Sequence, residues 1–230
     1  MNLELDIKNY DFVDFGASVG GSIEFAKQAL GGKNGLGVDI DPNKVKKMQD
    51  AGLDAYCADF TKLPFPKKSV RFVIISHVLE HLPSLEIAKA TVKQACNLAT
   101  DFVFIQGPYY DGDEYLKKLG LKFFWSDWKA HTCHFKVKDM RDTLSELNIT
   151  DYKIFMNKNV DDSMSPFIHP LNSPWNQHDY DSSVHPPKHL ITFEKKLYRE
   201  FVCYIKLRPD VENWDKIIKA RKGVIEEHEE

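Results

Sequence analysis

Apolar and polar positions along the first 150 residues follow two rhythms that replace each other repeatedly. Short runs that are apolar through most of their length, Phe12 to Gly16, Gly35 to Asp39, Asp54 to Ala58, Val70 to Ser76 and Phe102 to Gln106, predict strands. Helical stripes lie between them. Ile23, Ala26 and Leu30 share a face that Gly31-Gly32 ends, and Asp41 and Pro42 open a helix that turns Val45 and Met48 inward. Ser84 caps a third, with Leu85, Ala88, Val92, Ala95 and Ala99 on its buried stripe. Strands apolar on both faces, separated by helices, predict a parallel sheet covered on both sides. Met140, Leu144 and Leu147 mark another helix, Tyr152 to Phe155 a sixth strand and Tyr198 to Leu207 a last one. Between these two strands, 157–189 holds five prolines, four histidines and few aliphatics. A segment of that length and composition predicts a lid-like insertion. The expected organisation is one domain over 1–209 and a charged helix or tail over 210–230.

Composition narrows the class further. The 230 residues, 43% hydrophobic, suffice for one core, and 31 Lys and Arg against 34 Asp and Glu leave a net charge of -3. No basic stripe points to nucleic acid, and no apolar run approaches the roughly 20 residues of a membrane span. The first nine residues carry acids and no apolar stretch of the secretory type, so a cytoplasmic location is expected. Four widely spaced cysteines, Cys57, Cys96, Cys133 and Cys203, predict reduced core thiols.

The first strand runs into Asp14-Phe15-Gly16-Ala17-Ser18-Val19-Gly20-Gly21 and then a helix. This places flexible main chain and helix amides at the carboxyl edge of the sheet, where open α/β sheets bind ligands. Asp39 closes the second strand, where a carboxylate can accept both hydroxyls of a ribose, so the pair points to a nucleoside-containing cofactor. Ser18 occupies the second glycine position of the dinucleotide fingerprint, which disfavours a pyrophosphate. A short-chain dehydrogenase would also need a Tyr-x-x-x-Lys pair, and no tyrosine has a lysine four residues on.

These residues resemble the class I S-adenosylmethionine-dependent methyltransferases, especially the broad type 11 group, over roughly 10–150. Asp14 to Gly20 is similar to the family's first motif, and Gly37-Val38-Asp39-Ile40-Asp41-Pro42 to its second. Ala58-Asp59-Phe60 stands where the family contacts adenine. Leu63-Pro64-Phe65-Pro66 and Ser76-His77-Val78-Leu79-Glu80-His81 match the fourth-strand region, in sequence and in spacing. Ser18 departs from the middle glycine, and Arg71 stands where an acid is usual. Only some ten residues precede the first strand, fewer than the family's leading helices need, which leaves 157–189 as the candidate cover.

The resemblance implies a Rossmann-like, doubly wound, seven-stranded sheet with one antiparallel strand. It implies S-adenosylmethionine as cofactor, with Asp14, Gly16, Ala17, Ser18 and Gly20 at the methionine part. Asp39 and Ile40 would then meet the ribose, Asp59 and Phe60 the adenine, with Ser76 nearby. An acceptor, expected to be a small molecule or saccharide, would enter near His77, His81 and Tyr109, with His81 the first candidate for a base. Tyr110, Trp125, Trp128, His131 and His134 could extend the walls, and His169, His178 and His185 could contribute from the lid. The alternatives are a non-catalytic scaffold that keeps the nucleoside pocket and a nicotinamide-dependent reductase.

His77-Val78-Leu79-Glu80-His81 also has the form of the inverted zinc-peptidase signature. That chemistry needs both histidines on one continuous helix, which Pro83 and the preceding strand forbid. His131-Thr132-Cys133-His134 lacks a second spaced pair, so the sequence assigns no metal.

Overall fold

A computed structural model describes residues 7–221 and the backbone of 224–225. The first half runs β1 (Phe12–Phe15), α1 (Gly21–Phe25), β2 (Gly35–Asp39), α2 (Pro42–Asp50), β3 (Asp54–Cys57), β4 (Val70–Ser76), α3 (Leu85–Leu98) and β5 (Ala99–Pro108). The second half continues with α4 (Asp113–Lys118), β6 (Leu121–Phe123), α5 (Val137–Glu146), β7 (Tyr152–Asp162), β8 (Ile168–Pro170), β9 (Thr192–Lys206), α6 (Trp214–Ile217) and β10 (Val224–Ile225). The sheet order is β3-β2-β1-β4-β5-β9-β7, and the two-residue β10 adds outside β7. β1 to β5 are parallel, and β9 is antiparallel to both of its neighbours. This is the expected seven-stranded, Rossmann-like sheet.

Local chemistry sets the element ends. The Asp41 carboxylate accepts the Asn43 amide at 2.9 Å with Pro42 opening α2, and the Ser84 hydroxyl accepts the Ile87 amide at 3.4 Å. In-register pairing of Phe12 with Phe72 and of Phe72 with Phe102 aligns three rings across β1, β4 and β5. They stack at 4.7 and 4.6 Å under α1 and α2, each pair adding about 0.5–1.5 kcal/mol beyond its buried area. The opposite face, with Phe15, Val73, Ile75 and Val103, packs against α3 and α5. Arg71 ties these layers at the amino edge, 3.5 Å from the Asp101 carboxylate and donating to the Gly31 carbonyl at 3.1 Å.

Three features differ from the expected pattern. The stripe Ile23, Ala26, Leu30 spans a short α-helix that continues as a π-helical turn over Ala26–Leu30. Ala99 begins β5 instead of ending α3. Cys57 is exposed at the end of β3, while Cys96, Cys133 and Cys203 are buried, and no disulfide joins the four.

The 157–189 segment is more regular than its composition suggests. β7 reaches Asp162, with Lys158 at φ +61 interrupting its alternation, and β8 pairs with β6. Tyr110, Leu116, Phe123, Trp125, Ile168 and Leu197 form a separate apolar cluster there. Of the expected C-terminal helix, Trp214–Ile217 is helical, and the acidic end over 226–230 lies outside the described residues.

Candidate active site

The chain leaves β1 through a turn with three residues in the left-handed region: Gly16 at φ +69, Ser18 at +52 and Gly20 at +91. A Cβ on Gly16 would stand 2.6 Å from Val78 Cγ2, so glycine is needed there for space as well as for conformation. Ser18 adopts the glycine-like conformation despite its side chain. Its amide donates to Asp39 Oδ2 at 2.8 Å, while Asp39 Oδ1 accepts the Asp41 amide at 2.9 Å. One carboxylate, 5% exposed, therefore fastens the loops at the tips of β1 and β2 together.

Beyond these tips lies a cavity of about 760 Å³, within the range of small-molecule sites. Gly16, Ser18, Asp39, Ile40, Asp59, Phe60 and Ser76 line it, and His77 and His81 close one end. Ile40, 68% exposed, offers an apolar surface beside Asp39, and the Phe60 ring is held by stacking on Phe15 at 4.9 Å. Asp59 accepts the Thr61 hydroxyl at 2.6 Å and meets Lys62 Nζ at 2.8 Å. The Lys62 ammonium and then the Thr61 hydroxyl hold its carboxyl below the usual range. Lys44 also lines this end, which sequence patterning did not single out.

Three expected residues stand outside the lining. Gly20 and Ala17 are shaped by packing, Gly20 against Leu53 and Ala17 beneath Gly37. Asp14 is buried at 1% exposure and accepts a short hydrogen bond from the Ser22 hydroxyl, and its Oδ1 has no partner among the described residues. Burial pushes its carboxyl up to about 7, with the Ser22 bond opposing and the Asp39 charge adding to the rise.

A second cavity of about 260 Å³ adjoins the first, with His77 and His81 in both linings. Glu80, Pro108, Phe124, Trp125, His131, Arg199 and Glu200 complete it. His77, at φ +54, has Nδ1 3.4 Å from Glu80 Oε1 and Nε2 3.3 Å from Gln106 Nε2. Burial pulls its pKa down, but the Glu80 hydrogen bond and the charges of Glu80 and Glu200 together outweigh that and hold it above the ordinary value. The Gln106 amide also donates to Glu200 Oε2 at 3.1 Å, and Lys158 Nζ to Glu200 Oε1 at 2.8 Å. Glu200 and Arg199 carry no sequence signal, because they sit within a strand pattern that otherwise reads as sheet.

Tyr109 does not reach either lining; its ring packs edge-on against Phe123 and Tyr198, as a sheet-edge residue. Tyr110 is buried and stacks on His134 at 4.4 Å, with burial raising its pKa, so it stays a neutral phenol. His169 and His185 pack against each other at 4.1 Å, burial takes His169 down to about 4, and His178 lies against Trp128. These three histidines pack against one another and their neighbours and line neither cavity.

Residues 13–97 match the family model described as a methyltransferase domain. Among solved structures, a SAM-dependent methyltransferase from Archaeoglobus fulgidus is similar over 86% of this chain and 87% of its own, at 17% identity and TM-score 0.56. One from Methanosarcina mazei shares 12% identity over 89% of this chain and 95% of its own, with TM-score 0.52. One from Thermotoga maritima shares 12% over 87% and 83%, also at 0.52. No curated protein sequence matches. Residues 13–97 thus carry a match to a methyltransferase domain, and the sheet has the Rossmann-like fold of these solved methyltransferases. No helix among the described residues is long and apolar enough to cross a membrane.

Proposed function

We propose that the chain methylates a small-molecule or saccharide-type acceptor, which enters the smaller cavity and meets the cofactor at the partition of His77 and His81. The observation that carries this reading is that these two imidazoles belong to both cavities. The donor set of the larger cavity suits S-adenosylmethionine: Asp39 keeps lone pairs for ribose hydroxyls, Ile40 and Phe60 give an apolar bed for adenine, and Gly16 and Ser18 bring main chain to the methionine part. When bound, that cofactor supplies an electrophilic methyl on a positively charged sulfur, open to displacement in line.

The protein's own work is alignment, exclusion of water and proton removal. Phe124, Trp125 and Pro108 form the apolar side of the acceptor cavity. Arg199 stacks its guanidinium 3.6 Å over Phe167, which fixes that wall against the β6–β8 ladder. His77, held by Glu80 and Gln106, takes the acceptor's proton. The small volume and mixed charge of this cavity favour a compact polyhydroxylated molecule over a polymer. Transfer of tritiated methyl from S-adenosylmethionine to a panel of small hydroxylated acceptors and sugars tests the proposal. Turnover with one of them, competitively reduced by an acceptor analogue, is expected. Methylation of RNA or protein alone would overturn it.

A further inference from the structure

His77 and His81 do not share a helix, because Leu79–His81 is a single 3-10 turn after β4. His81 instead faces a histidine fifty positions further along, His131, with ring centroids 4.9 Å apart at 71°. Glu80 completes the group, and one ligand atom from each of Glu80, His81 and His131 lies within 4.8 Å of the others. Ligands around a tetrahedral zinc ion stand about 3.3–3.6 Å apart, so small side-chain rotations close the gap.

The surroundings are those of a ligand set. His81 Nδ1 is 3.0 Å from the Ala130 carbonyl and His131 Nδ1 is 2.8 Å from the Trp125 carbonyl. Each ring therefore places its N–H on main chain and keeps the Nε2 lone pair, the tautomer that metal-binding histidines adopt. Tyr110 adds its hydroxyl 3.0 Å from the same His131 nitrogen. Glu80 is only 2% exposed and its Oε2 has no hydrogen-bond partner among the described residues. An isolated buried carboxylate oxygen is costly, and a cation satisfies it. The two loops are also fastened to each other, with the Cys133 amide on the Glu80 carbonyl at 3.1 Å and the Thr132 hydroxyl on the Leu82 carbonyl at 2.7 Å.

We propose that Glu80, His81 and His131 bind one divalent transition-metal ion in the wall of the acceptor cavity. Two imidazoles and a carboxylate suit zinc, cobalt or manganese and leave a coordination position open. Because all three residues line the smaller cavity, that position faces the space an acceptor enters. Its use in holding an acceptor hydroxyl oxygen rests on the function proposed above; the ion site itself does not.

Chelator-treated full-length protein titrated with cobalt(II), followed by visible absorption and calorimetry, tests the site. One equivalent per chain with a protein-dependent visible band is expected. The band and the heat should be lost in His131→Gln and His81→Gln and retained in His178→Gln, with far-ultraviolet circular dichroism unchanged in all three. Should Glu80→Gln fail to fold, the histidine variants decide alone. Equal binding by His131→Gln, or no stoichiometric uptake by the wild type, overturns the proposal. Stoichiometric cobalt without methylation of any hydroxyl acceptor sinks the acceptor reading and leaves the ion site standing. Full methyl transfer by chelated wild type keeps that reading and removes the ion from it.

Discussion

The two cavities meet at His77 and His81 but are built on opposite plans. On the cofactor side, main chain does most of the work: strand tips deliver a glycine turn, and Asp39 fastens it by accepting the Ser18 and Asp41 amides. On the acceptor side, side chains from distant loops converge, with Glu80, His131 and Glu200 supplied by a 3-10 turn, an irregular segment and β9. The first plan tolerates variation in side chains and fixes one ligand. The second can change its ligand by changing a few loop residues while the sheet stays intact.

The buried Asp14 carboxylate marks the cost of the cofactor side, and its removal should have the largest effect. In the folded protein it keeps its proton up to about pH 7, whereas an ordinary aspartate loses it near 3.8. The folded state thus binds more protons across that window, and stability of the cofactor-free protein declines as pH rises from about 4 to 7 and then levels. Roughly three pKa units at 1.36 kcal/mol each give a fall of about 4 kcal/mol. Asp14→Asn should flatten this part of the profile, measured by urea unfolding from pH 4 to 8. An unchanged slope would place the titrating group elsewhere.

Next in size is Asp39→Ala, which removes the proposed ribose acceptor and releases the Ser18 turn. Loss of charge-assisted hydrogen bonds worth about 1.5–3 kcal/mol predicts at least about tenfold weaker binding of S-adenosylhomocysteine by calorimetry. Phe124→Leu tests the other plan. It should raise the acceptor KM by up to about tenfold, in line with about 0.5–1.5 kcal/mol for a ring contact, and leave cofactor affinity unchanged. A shift in both constants would mean that the cavities do not act separately. The smallest effect is expected for Lys62→Ala. Its ammonium is exposed and its ion pair with Asp59 is solvated, so cofactor affinity should change by less than about threefold.

The same contrast governs what could be read from the residues. Apolar runs and caps located the parallel strands, α2 and α3, and the glycine turn with Asp39 marked one end of the larger cavity, whereas Asp59, Phe60 and Ser76 came from the resemblance to the methyltransferase motifs. Asp14, Ala17 and Gly20 share that motif yet lie outside the cavity, because periodicity does not say which members of a turn face a ligand and which pack beneath it. The 157–189 stretch reads as irregular because, past β7, β8 is only three residues long and its partner β6 is equally short. In the sequence His131 reads as a wall candidate and as part of a His131-Thr132-Cys133-His134 string that lacks a second spaced pair. Its proximity to His81 arises from loop bonds across fifty positions, which no local pattern encodes.

The most direct test is the structure of crystals soaked with S-adenosylhomocysteine. Adenosine density is expected over the tips of β1 and β2, with both ribose hydroxyls on the Asp39 carboxylate and the sulfur at the end closed by His77 and His81. Density for the nucleoside anywhere else, or the sulfur turned away from those two histidines, would contradict this placement.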